Sequence, residues 1–350
     1  MNNLRAVLEI DVNALKDNLD RIKKRNKNKK IIAVAKASCY GLSKETILFI
    51  EDEIDCLGVA TYEEGISYRI LGCKLPILIF GYVPIENISV CIKYNLMISI
   101  YSVFFAREVN AFLERNDLTC CVHLKINTGM NRFGIKYDDY SSFRELIGYT
   151  RLKKIGVYSH FTNAQNDTIS TIQKNNFMKS VEFFRTNGVE FTYRHVDSSY
   201  SCLKSDVFCN TLRVGYALYG GFYPFTPVAT FKGRIVHVTT LCEGESLGYG
   251  EHFIAKETTR VGIVSAGYGD GVPINLSNVG KVLFDGDFLP IIGQICMDVT
   301  FIDVSSSRAK IGDYVTFFGN GKNRIYYDEI GFGYQVICGV TDRVKRVFLR

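Results

Sequence analysis

The chain has 350 residues, 47% of them hydrophobic and 22% charged, and a formal net charge of +6. That length allows two domains with a large core, and the composition excludes long disorder. The charge is too modest for a nucleic-acid binder, and the one dense basic run, Arg21 to Lys30, reads as the solvated end of an amphipathic helix. Eleven cysteines, an odd number without a Cys-x-x-Cys pair, read as free thiols in a reducing compartment, and no metal site is expected. The start, MNNLRAVLEIDVN, lacks the apolar core of a secretory signal, and no apolar run approaches 18 residues. The expectation is a cytoplasmic protein that neither spans a membrane nor binds nucleic acid.

In chain order, short apolar or β-branched runs recur: IIAVAK (31–36), CLGVA (56–60), PILIFG (76–81), LMISIY (96–101), CCVHLKI (120–126), IGVYSH (155–160), EFTYRHV (190–196) and LRVG (212–215). Amphipathic segments such as ETILFIEDE and EEGISYRILG lie between them and read as helices. Strands alternating with helices imply a parallel sheet, and eight of them suggest a (β/α)8 barrel over residues 1–230, with a doubly wound open sheet as the alternative. From FKGRIVHVTTL onward the pattern changes to alternating strands and glycine turns (FDGDF, GNGKN), which predicts a mostly-β domain over residues 231–350.

Barrel sites form where strands end. Lys36 closes the first run, and an amine desolvated at a barrel mouth suits Schiff-base chemistry; its bland reading is a snorkelling rim lysine. Tyr40 follows in the loop. The fifth run leads into HLKINTGMNRFGI, where Lys125 and Arg132 flank a Thr-Gly turn, and a guanidinium there could grip a carboxylate or simply form a surface ion pair. His160 ends the sixth run, the seventh enters His195–Ser199, and the eighth carries Arg213, Val214 and Gly215. Ser199 with the amides near Gly215 and Tyr216 could cradle a phosphate. In the β domain, Tyr249 (SLGYGEHF) and Tyr268 (SAGYGDGVP) stand between glycines, and GQICMDVTFIDV puts Met297 and Asp298 in a predicted strand.

Taken together, AVAKASCYG, HLKINTGMNRFGI, VYSHFTNA, LRVGYALYG, GYGEHF, SAGYGDGVP and GQICMD resemble, in order and spacing, the bacterial alanine racemase family. The resemblance implies a barrel plus a β domain, pyridoxal 5'-phosphate as cofactor, and a homodimer with shared active sites. Lys36 would carry the cofactor and act as one base, and Tyr249 from the other subunit would be the second. Arg213 would bond the ring nitrogen, its pKa above about 12 keeping it from protonating that nitrogen, and His160 would lie against the ring and orient Arg213. Tyr40, Ser199, Gly215 and Tyr216 would hold the phosphate. Arg132 and the backbone at Met297 would fix the substrate carboxylate. Lys125 matches a position often carbamylated, and Tyr268 and Asp298 would line the substrate entrance.

Two positions depart from the family pattern. Ser198 stands where many relatives have Asn, and Asp342 precedes Arg343 where many have a phosphate-touching Tyr. An aspartate beside a phosphate would turn away, and the lost ring could leave room for a substrate hydroxyl. Alanine is therefore the expected substrate and serine the alternative, with a non-catalytic cofactor-binding protein and a decarboxylase as more distant readings.

Overall fold

A computed structural model of the chain describes residues 4–204, 208–320, 323–330 and 333–350. They fall into two units, one of the described residues in 1–18, 40–46 and 216–350, the other of those in 19–39 and 47–215. Strand β1 (Ala6–Asp11) belongs to the first unit.

The second unit is the expected barrel. Its parallel strands are β2 (Lys30–Val34), β3 (Cys56–Val59), β4 (Ile77–Ile79), β5 (Leu96–Ile100), β6 (Cys120–Asn127), β8 (Leu152–Tyr158), β9 (Tyr193–His195) and β10 (Thr211–Val214), with the short β7 (Ile135–Lys136) beside β6. They pair in chain order, and β10 returns to β2 with Leu212 opposite Ile31. Across the last gap, between β9 and β10, Asn210 accepts from Arg194 N at 2.8 Å and donates to Thr192 O at 3.1 Å. The strands read as near-continuous apolar runs because a barrel buries both faces. Ile32, Cys56, Leu78, Met97 and Tyr193 form one of its packed clusters.

EEGISYRILG forms the expected helix (Tyr62–Ile70), started by a capping box between Thr61 and Glu64. ETILFIEDE does not. It forms two 3-10 turns, Lys44–Phe49 and Glu51–Glu53, separated by Ile50, whose backbone (φ −132°, ψ 10°) is not helical.

The other unit is β-rich. The long β11 (Ala229–Leu241) pairs antiparallel with β1, with β12 (Thr259–Val264) and with β16 (Tyr314–Phe318). Strands β13 (Lys281–Phe284) and β14 (Asp287–Pro290) form a hairpin through Asp285 and Gly286, both at positive φ (50° and 101°), as FDGDF predicts. Strand β15 (Thr300–Asp303) pairs with β12, and β17 (Lys345–Leu349) runs parallel to β1. The turn GNGKN runs into residues 321–322, outside the described residues. None of the eleven cysteines is in a disulfide. Among the described residues no helix is long and apolar enough to cross a membrane, and no group of His, Cys, Asp or Glu could hold a metal ion.

Candidate active site

Lys36 stands two residues beyond β2, at the strand's C-terminal end. The chain then does something that L-residues avoid: Ala37, Ser38, Cys39 and Tyr40 are all left-handed, with φ of 50°, 53°, 57° and 60°. Each such residue costs roughly 1–2 kcal/mol, so neighbours must hold the run. Ala35 O accepts from Cys39 N at 3.1 Å and from the Tyr68 hydroxyl at 2.7 Å. The Glu64 carboxylate accepts from Ala37 N and Ala60 N, both at 2.7 Å. Glu64 thus both caps its helix and fastens the loop that carries Lys36, a role the sequence reading missed although the Thr-x-x-Glu cap was visible. One expectation is corrected: Lys36 is exposed rather than desolvated, because it lies just past Ala35, the last buried residue before the loop.

Strand β6 alternates, so His123 and Lys125 point to the same face, into the barrel. Both are buried. Lys125 Nζ lies 5.4 Å from the ring centres of both Phe133 and Tyr158. Burial, then the charges of Arg132 and Arg213, push its pKa down to about 8. Arg132 is exposed on the turn after β6, where Asn127 Oδ1 accepts from the backbone of Gly129 and Asn131 at 3.1 Å each.

Arg213 is buried at the end of β10 and is the hub of the interior. Its Nη1 meets His195 Nδ1 at 2.7 Å and His195 O at 2.9 Å. Its Nη2 meets His160 Nδ1 and Ser159 O, both at 2.9 Å, and Val196 O at 3.2 Å. The Nε–H has no hydrogen-bond partner among the described residues. Burial lowers the Arg213 pKa to about 10, below the value above about 12 expected from sequence, and it remains cationic at neutral pH. His160 is held neutral, its pKa lowered to about 3 by burial and then by the charges of Arg213, Arg132, Lys125 and Lys36. The same mouth therefore gathers four cations and neutral imidazole.

The loops after β9 and β10 meet where Gly215 N donates to Ser199 Oγ at 3.2 Å. Ser199 is buried. Ser198 N donates to Ser201 Oγ at 2.7 Å, which starts the 3-10 turn Ser201–Leu203.

The remaining expected residues lie in the β-rich unit. Tyr40 and Tyr216 are buried, and the Tyr334 ring lies 4.0 Å from Tyr216 and 5.7 Å from Tyr40. Asp342 is exposed. Tyr268 and Met297 come together because the turn at Gly267–Gly269 backs onto residues 296–297: Tyr268 N donates to Cys296 O at 3.0 Å and Gly269 N to Met297 O at 2.9 Å. A Cβ on Gly267 would lie 2.2 Å from Cys296 O, which is why glycine precedes this tyrosine. Met297 and Asp298 are not in a strand as expected; they form a bend before β15, their backbone being taken up by that turn. Asp298 pairs with Arg343 at 2.6 Å. Behind the turn the buried Asp270 caps Gly267 N and takes a two-pronged bond from Arg5, at 2.5 and 3.0 Å. Tyr249 stands on its own turn and is 71% exposed.

A barrel whose C-terminal mouth collects lysine, arginine and uncharged histidine, joined in one chain to a β-rich unit with exposed tyrosines, defines a class of anion-binding barrel enzymes. The match to known proteins makes this specific. The model for the alanine racemase N-terminal domain fits residues 10–224, and that for the C-terminal domain fits residues 228–348. The chain belongs to the alanine racemase family. The alanine racemase of Methanococcus maripaludis is 31% identical over 367 residues, covering 97% of this chain and 98% of that protein. That of Helicobacter acinonychis is 32% identical over 374 residues, covering 98% and 99%. Among solved structures, an alanine racemase of Clostridium difficile 630 superposes with a TM-score of 0.93 at 29% identity, covering 100% of this chain and 97% of that one. A complex of the C. difficile enzyme with cycloserine superposes at 0.89, also at 29% identity, covering 99% and 96%.

Proposed function

We infer that this chain is an alanine racemase dependent on pyridoxal 5'-phosphate. The observation that carries the reading is the four-cation mouth, in which Lys36, Lys125, Arg132 and Arg213 all act on His160 or on one another. The residues fit the cofactor. A free Nε–H on the buried Arg213 suits a ring nitrogen, and the Gly215 amide and Ser199 hydroxyl suit a phosphate.

When bound, the cofactor withdraws electrons from the substrate Cα and makes its proton acidic. The protein supplies the rest. Lys36 carries the cofactor and moves the Cα proton on one face. Tyr249, from the second copy of a homodimer, moves it on the other, and each correctly placed base contributes roughly 10²–10⁴ in rate. Arg213 is a donor that stays charged among neutral imidazoles, so it holds the ring nitrogen without surrendering its proton. Tyr40 and Tyr216 join Ser199 and Gly215 at the phosphate. Arg132 and the Met297 backbone fix the substrate carboxylate. The neutral fraction of Lys125 reacts with carbon dioxide, losing a proton to become a carbamate and giving Arg132 an anionic partner. A homodimer is supported by the exposure of Tyr249, Met297 and Tyr268, at 71%, 51% and 43%.

Incubating the cofactor-loaded protein with each enantiomer of alanine and of serine, followed by chiral chromatography, tests this. Interconversion of alanine is expected. Faster turnover of serine would move the reading to a serine racemase, in keeping with Asp342, and a loaded protein that converts neither would overturn it.

A further inference from the structure

We propose that His123, which the site described above does not use, is a positioning residue that locks the tautomer of His195 behind Arg213. The argument begins with proton bookkeeping. Every nitrogen of a guanidinium is a donor. His195 Nδ1, at 2.7 Å from Arg213 Nη1, must therefore present its lone pair. A neutral imidazole with a bare Nδ1 carries its hydrogen on Nε2. That Nε2 lies 2.9 Å from His123 Nδ1, which must accept in turn, so the hydrogen of His123 sits on its own Nε2. There the chain stops: His123 Nε2 is buried and has no partner among the described residues. Direction runs one way, from Arg213 through His195 to His123. Burial and the Arg213 charge lower the pKa of both imidazoles, that of His123 to about 3, so neither takes a second proton at neutral pH.

A packing role alone does not account for His123. An apolar ring would fill the space without leaving a buried N–H unpaired, which costs roughly 1–3 kcal/mol. The barrel also makes room for the imidazole deliberately, since the residue opposite it on β8 is Gly156. Tyr158 stacks on His195 at 4.9 Å with an interplanar angle of 7°, so that ring is held flat while its edge nitrogens are aimed at Arg213 and His123. Without an acceptor at position 123, the Nε2–H of His195 would be buried and unpaired. The other tautomer would become competitive, and it turns an N–H against the guanidinium.

Nitrogen-15 NMR of the full chain labelled at histidine tests this, and only five histidines need assigning. In the wild-type protein His195 and His123 should both carry hydrogen on Nε2 and fail to titrate where exposed imidazoles do. His123→Phe should shift His195 toward the Nδ1–H form and weaken pyridoxal phosphate binding at least about tenfold, the equivalent of roughly 1.4 kcal/mol. His123→Gln, whose amide oxygen can accept from His195, should restore both. A wild-type His195 carrying its hydrogen on Nδ1 overturns the proposal even if no variant folds, and so does an unchanged tautomer in His123→Phe. The cofactor arm rests on the function proposed above: a changed tautomer with unchanged cofactor affinity upholds the lock and overturns the assignment of Arg213 to the ring nitrogen.

Discussion

A Cβ built on Gly156 would lie 2.3 Å from His123 Nδ1, so the glycine on β8 and the imidazole on β6 occupy one space between them. Gly156→Ala must displace the ring or spread the strands. Overpacking of this kind costs about 1–3 kcal/mol. Urea denaturation should show a lower midpoint with an unchanged slope.

Lys36→Ala should remove both turnover and the visible absorbance of the bound cofactor, because the exposed amine at the rim is the group assigned to hold it. The fold should survive, since Lys36 packs against nothing that buries it. Circular dichroism and absorbance spectra on one sample separate the two effects. Full racemase activity in this variant would remove Lys36 from the mechanism.

Tyr249→Phe should keep cofactor binding and lower activity by roughly 10²–10⁴. The loss should be one-sided: solvent deuterium should enter the Cα position much more slowly when L-alanine is supplied than when D-alanine is. Equal slowing from both enantiomers would mean that the phenol does not serve one face alone.

Lys125 ties stability to pH. The folded chain releases its ammonium proton near pH 8, whereas the unfolded chain keeps it to about 10.4. Between those values unfolding takes up a proton, so stability attributable to this residue rises with pH, and the penalty is greatest below about pH 8. Lys125→Met should accordingly be more stable than the wild type at neutral pH. In buffer depleted of carbon dioxide, that advantage should shrink as the pH climbs above about 8, as read from paired urea titrations.

The eight barrel strands were legible because each is a short apolar run, and apolarity is a local property. Lys36, Lys125, His160 and Arg213 were legible as polar residues at or near strand ends. What local pattern hides is partnership. His123 lies two residues before Lys125, so strand alternation already placed both on one face, but its partner His195 is 72 residues away. Met297 and Asp298 sit in a stretch rich in β-branched residues that reads as a strand, and only the approach of Gly267 bends it. ETILFIEDE has the apolar spacing of an amphipathic helix, yet the backbone leaves the helical region at Ile50 and splits the segment into two 3-10 turns. The loop role of Glu64 depends on the left-handed run of Ala37 to Tyr40, which contains none of the glycines that normally announce such a backbone.

The pairing of β1 with β11 and β17 has a consequence for biosynthesis. The barrel strands are all made by residue 214, but β1 is translated before any of them and meets its parallel neighbour only when Lys345–Leu349 has been translated. Elongation from β11 to β17 takes roughly 5–20 s at ordinary rates of about 5–20 residues per second. Through that interval the nascent chain carries an apolar strand with one edge still vacant, a segment open to non-native pairing until β17 is made.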